Sequence, residues 1–125
     1  MTRHKGLLLG LAAVMILIIL SQIAPLFQKN KAYVLEDYVS EIAQYGSTQN
    51  VGTITDEADA LAKAEALWVS LYGAIVLKEK PYVVQTDPHT HTYLVKGSLP
   101  QGSAGGIAMV ILEAGGRVLA VWHTK

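Results

Sequence analysis

From Leu7 to Phe27 the chain carries no charge, and from Leu7 to Leu20 every residue except Gly10 is apolar. As a helix at 1.5 Å per residue, this stretch of 21 residues spans roughly 30 Å, the hydrocarbon thickness of a bilayer. A helix apolar on every side finds too little other surface to bury it in so short a protein. The pattern therefore predicts a transmembrane anchor. The rival reading is a cleaved secretory signal, because Arg3, His4 and Lys5 form a basic stretch ahead of the apolar one. Cleavage needs small residues at −3 and −1. Ala24 has Gln22 two places upstream and Ser21 has Ile19, so neither is a good site. With no cysteine there is no lipoprotein anchor.

Beyond the anchor the period changes. Val34, Leu35, Tyr38, Val39, Ile42 and Tyr45 recur at spacings of three and four and predict an amphipathic first helix over Tyr33 to Tyr45. Gly46 to Gly52 breaks it. Thr55 is the expected N-cap of a second helix from about Asp56 to Leu71 or Tyr72, with Asp56, Glu57 and Asp59 complementing its positive end. Leu61, Ala64, Leu67, Trp68 and Leu71 form its expected buried stripe, and Gly73 its stop.

The remainder reads as strands: Pro81 to Gln85, then Tyr93 to Val95 after the Asp87-Pro88-His89-Thr90 turn, then Ile107 to Glu113 and Val118 to His123 around Gly115-Gly116. The last two are apolar on both faces: Met109 and Ile111 alternate with Ala108, Val110 and Leu112, and Val118, Ala120 and Trp122 alternate with Leu119 and Val121. Such a sheet needs cover on both sides. The second helix can supply one cover; the first helix, sheet curvature or a partner must supply the other. The expected class is α+β: an N-terminal transmembrane helix, then one or two helices packed on a curved four-stranded antiparallel sheet. The expected division is 1–28 for the tail and anchor, 29–55 for the amphipathic helix and linker, and 56–125 for the α+β domain.

Zero formal net charge hides an asymmetry. Arg3, Lys5, Lys29 and Lys31 flank the anchor, which leaves six basic against ten acidic residues from Ala32 onward, a net of −4. An acidic domain without a basic stripe excludes nucleic acid as an expected partner, since phosphate neutralisation supplies most of that affinity. It suits a basic protein instead. The charges around the anchor balance almost evenly across it. A short N-terminal tail of this kind usually stays in the cytoplasm, so the expectation is a single pass through a bacterial inner membrane with the domain on the periplasmic side.

Candidate chemistry is sparse. His89 and His91 lie two apart near Asp87, but the segment is a turn and the ligand count is too low for a closed zinc shell. His123 with Glu113 suggests an acid–base pair. Both lie near strand ends, and a strand-end histidine and a charge before a turn account for them. Ser47, Ser98 and Ser103 lack a nucleophile context. The Gly102 to Gly106 run precedes a strand, not a helix, and so presents no helix N-terminus to phosphate. Trp68 and Trp122 are expected in the core. No catalytic residue, metal or cofactor is expected, and no small-molecule substrate. The candidate partner-binding residues are Asp87, His89, His91 and Tyr93, exposed on a loop held by a rigid scaffold.

From the second helix to the end, the chain resembles the bacterial immunity proteins of polymorphic toxin systems that have the nuclear transport factor 2-like (cystatin-like) fold. Trp68 to Gly73, Glu79-Lys80-Pro81-Tyr82, Tyr93 to Gly97, Leu99-Pro100, Gly105-Gly106, Gly116 and the terminal Trp122-His123-Thr124-Lys125 carry the likeness, over roughly residues 56–125. Tyr93 stands where that family commonly has Trp. The resemblance implies a non-enzymatic protein that binds and neutralises a cognate toxin. Two other readings remain: an enzyme with a deep cone-shaped pocket, and a structural or regulatory ectodomain of an envelope complex.

Overall fold

The computed structural model describes residues 32–100 and 104–125. The predicted anchor over Leu7 to Phe27 lies outside these. Among the described residues no helix is long and apolar enough to cross a membrane.

A 3-10 turn, Leu35–Tyr38, runs into a short helix α1, Val39–Tyr45. Helix α2 is Glu57–Tyr72. A second 3-10 segment, Ala74–Glu79, leads to strands β1, Val83–Asp87, β2, Thr92–Lys96, β3, Ala108–Glu113, and β4, Val118–His123. The strands form one antiparallel meander in the order β1-β2-β3-β4, as their spacing predicts.

The N-cap of α2 is Asp56, one residue after the expected Thr55. Its carboxylate accepts the Asp59 N–H at 2.8 Å, while the Asp59 carboxylate reaches back to the Thr55 N–H at 2.9 Å. Two of the unsatisfied amides at the helix start are thereby matched, as in a capping box. Asp can serve as either member, and the three-residue spacing decides the register. Gly73 ends the helix with φ of 85°, which L side chains rarely adopt.

The sheet is covered on both faces. On one, Ala60, Ala64, Leu67 and Trp68 of α2 pack against Val95, Val110, Leu112 and Val118. On the other, Leu35, Tyr38 and Ile42 pack against Leu94, Met109, Ile111, Ala120 and Trp122. The second cover is therefore the first helical segment, held by rings: Tyr45 stacks on Trp122 at 5.6 Å and Tyr38 lies 6.4 Å from it. Its stripe is narrower than expected. Seven residues of helix turn Tyr38, Ile42 and Tyr45 toward Trp122 and leave Val39 62 % exposed. Likewise Leu71, expected in the core, is 42 % exposed, while Tyr72 beside it packs against the core and the His123 ring.

One strand breaks its alternation. Ile111 opposes Ala120, but Leu112 opposes Val118, so β4 holds one extra residue at a β-bulge. Val118 therefore joins the α2 side, whereas simple alternation grouped it with Ala120 and Trp122. The adjoining hairpin turn uses Gly116 at φ 102°, where a Cβ would sit 2.3 Å from the Gly52 carbonyl oxygen. That close approach lets residues 49–54 strap the turn, with Val51 donating to Gly116, Ile54 to Ala114 and Val118 to Gln49.

Trp68 is fully buried, and its indole N–H donates to the Met109 carbonyl at 3.4 Å. Trp68→Ala should cost about 3–5 kcal/mol in urea unfolding, whereas Leu71→Ala should cost less than about 1 kcal/mol. Equal losses would mean that α2 seats its stripe differently.

Candidate functional site

The β1–β2 turn holds the residues singled out in the sequence. Asp87 is buried, not exposed. Its carboxylate accepts the Leu35 N–H at 3.0 Å and the His89 N–H at 2.9 Å. The Leu35 amide is the main reason its pKa is lowered, with the turn amides adding to it against the opposing effect of burial. Asp87 thus ties the first helical segment to the turn. His89 and His91 are exposed. His91 has a φ of 52° and its carbonyl accepts the Ala114 N–H. Tyr93 points away from them, half-buried against the α2 side of the sheet. Among the described residues no group of three metal-ligating side chains forms.

Tyr93 instead belongs to an open groove of about 1000 Å³ between the first turns of α2 and the β1–β2 face. Asp56, Glu57, Ala58 and Leu61 form one wall. Tyr82, Val84, Thr86 and Tyr93 form the other. The floor is apolar and aromatic, and the carboxylates stand on the helix wall. Tyr82 donates its hydroxyl to the Val76 carbonyl at 3.2 Å, and burial pushes its pKa up to about 12, so the phenol stays neutral. Asp59 is held below the usual carboxylate range by the Thr55 N–H first and by Lys63. Sequence reasoning found Tyr93 but missed the helix wall, because Asp56 and Glu57 read as helix-start residues and nothing local shows that β1 faces them.

Elsewhere on the sheet is a pair that the sequence did not reveal. His123 does not meet Glu113. In the antiparallel register His123 opposes Ala108, which puts Glu113 at the far end of β3, near Arg117. The partner of His123 is the buried Glu79, 44 residues away: Nε2 donates to Glu79 Oε2 at 2.9 Å and Nδ1 to the Thr124 carbonyl at 2.8 Å. Glu79 Oε1 accepts the Ala108 N–H at 2.6 Å. A Cβ on Gly97 would sit 2.4 Å from that oxygen, so glycine makes the room the carboxylate needs. Burial by itself would lower the His123 pKa. The Glu79 hydrogen bond, the Thr124 carbonyl and the Glu79 charge outweigh it and raise the pKa. Two acceptors facing two ring nitrogens call for the imidazolium. Neither residue borders the groove. The pair clasps the 3-10 segment to β3 and β4.

The long helix, the 3-10 segment and the four-stranded meander are the part of the chain that a family comparison covers. The model of the NTF2 fold immunity protein family Imm-NTF2-2 matches residues 59–125, more than half the chain. The chain belongs to this family. The match includes most of α2, all four strands, and both Glu79 and His123. In this immunity protein the cover formed by Leu35–Tyr45 and the first turn of α2, with Asp56 to Ala58, precede the matched region. No curated protein and no solved structure matches the chain.

Because folding raises the His123 pKa, the clasp contributes fully below the ordinary histidine value of about 6.5 and loses that contribution as pH rises through the raised value. His123→Ala should therefore lower the melting temperature more at about pH 6 than at about pH 9. A pH-independent loss would show that the imidazolium does not hold the clasp.

Proposed function

We propose that this immunity protein neutralises a cognate, basic toxin by binding it, without catalysis, while Leu7 to Phe27 hold it in a bacterial inner membrane with its domain on the periplasmic side. The family match over residues 59–125 carries the reading. The net charge of −4 from Ala32 onward supports a basic partner, since charge complementarity speeds encounter and rejects wrong partners. The uncharged apolar stretch supports the anchor, and confinement to a membrane raises effective concentration without new contacts. Binding without catalysis is supported by the one histidine–carboxylate pair found among the described residues, which is consumed in a structural clasp away from the groove.

Co-expression of this chain with the toxin encoded beside it should restore colony formation, and purified toxin should bind the full chain. Stable association with envelope proteins and no protection from any neighbouring gene product would instead identify an envelope ectodomain. The anchor has its own test. An arginine at the centre of a membrane helix costs about 2.5–3.5 kcal/mol on insertion scales. Ile16→Arg with Ile19→Arg should therefore move the chain from the carbonate-washed membrane pellet to the soluble fraction. Retention in the pellet would refute the spanning segment.

A further inference from the structure

Three properties of the groove between α2 and β1 narrow what it can hold. It is open and about 1000 Å³, at the upper end of small-molecule sites, which usually enclose most of their ligand. An open channel of this size suits a stretch of polypeptide better. Its base is apolar and aromatic, from Leu61, Tyr82, Val84 and Tyr93. Its helix wall is acidic, carrying Asp56 and Glu57 and no basic residue.

The electrostatics argue against an anionic occupant. A helix N-terminus ordinarily attracts negative charge through its free amides. Here Asp56 already accepts one of those amides and Glu57 stands in the same turn, while Asp59 beside them is paired with Lys63. The residual field at the groove is negative. Strand β1 adds a preference for extended chain. It is an edge of the sheet, paired with β2 on one side; on the other, Ala32 bridges Thr86 and the Tyr33 N–H donates to the Thr86 carbonyl at 3.2 Å, at the end of the strand next to Asp87. Edge strands accept an added strand through main-chain hydrogen bonds, with alternate side chains read by adjoining pockets.

We infer that this groove is where the toxin docks, and that it receives an extended segment in which lysine or arginine alternates with aliphatic or aromatic side chains. The inference rests on the immunity reading above and goes further by assigning the surface. The basic side chains meet the α2 wall and the apolar ones rest on Tyr82, Val84 and Tyr93.

Ala58 tests this well, being exposed, on the groove wall and within a helix that tolerates arginine. Ala58→Arg fills the channel and reverses the local charge, while Ala66→Arg, exposed on the same helix away from the groove, changes net charge equally. With the toxin that the wild-type chain neutralises as probe, Ala58→Arg should weaken binding by at least about tenfold and abolish protection, with Ala66→Arg close to wild type. Melting curves establish that both variants are folded. A photo-crosslinking residue at position 58 of the full chain gives a second readout that does not depend on losing affinity. A crosslink to a lysine- or arginine-containing toxin peptide supports the assignment. Crosslinks only to a second copy, or only to residues 1–31 of the same chain, overturn it. So does full protection by Ala58→Arg, which leaves the immunity reading intact. If the wild-type chain neutralises no toxin, the immunity reading itself fails, and this inference with it.

Discussion

A sheet apolar on both faces cannot stand in water, and the rest of this structure answers that constraint. Val110 and Leu112 look one way, Met109 and Ile111 the other, and all four are buried. Full burial of such a side chain contributes about 1.5–3 kcal/mol, so neither face can be left bare in a domain this small. Helix α2 covers one with a sixteen-residue helix. The other is covered by eleven residues, Leu35 to Tyr45, too few for a helical stripe of the same breadth. The deficit is met by aromatic area: Tyr33, Tyr38 and Tyr45 gather around Trp122 and one another. Because ring contacts are directional, the segment must be held in place, and the Asp87 carboxylate does so through the Leu35 amide.

For this reason Asp87 is buried where its sequence context predicts a surface residue. Asp before Pro is a turn signal, and a turn residue is ordinarily wet. Its burial arises from a contact with Leu35, 52 positions earlier, which no local pattern reports. The strands, by contrast, were legible to within two residues, because alternation and glycine pairs are local; β1 differs most, beginning and ending two residues later than its pattern predicts. Val118 shows the limit: a bulge shifts the side-chain period by one, and the residues around it are as apolar as any others in β4. The same division separates the two chemical features. Tyr93 was visible as an aromatic beside a turn. The carboxylates opposite it, and the meeting of Glu79 with His123, depend on how α2 and the 3-10 segment fold back over the sheet.

The groove and the clasp are separate sites on the same sheet and divide its polar chemistry between them. At the clasp a carboxylate is spent on an imidazolium and a backbone amide, and a glycine is required beside it. At the groove Asp56 is partly spent on a helix amide, yet its charge is not cancelled, because an amide dipole carries only a fraction of a unit charge. One site is therefore electrically closed and the other still open. That contrast, more than the total charge, gives the domain a direction.

The pairing of Ala32 with Thr86 has a consequence for geometry. Thr86 lines the groove, so the polypeptide joins the domain at the rim of its own recognition channel. A visitor seated against Thr86 therefore has the Ala32 backbone beside it as well as the α2 wall.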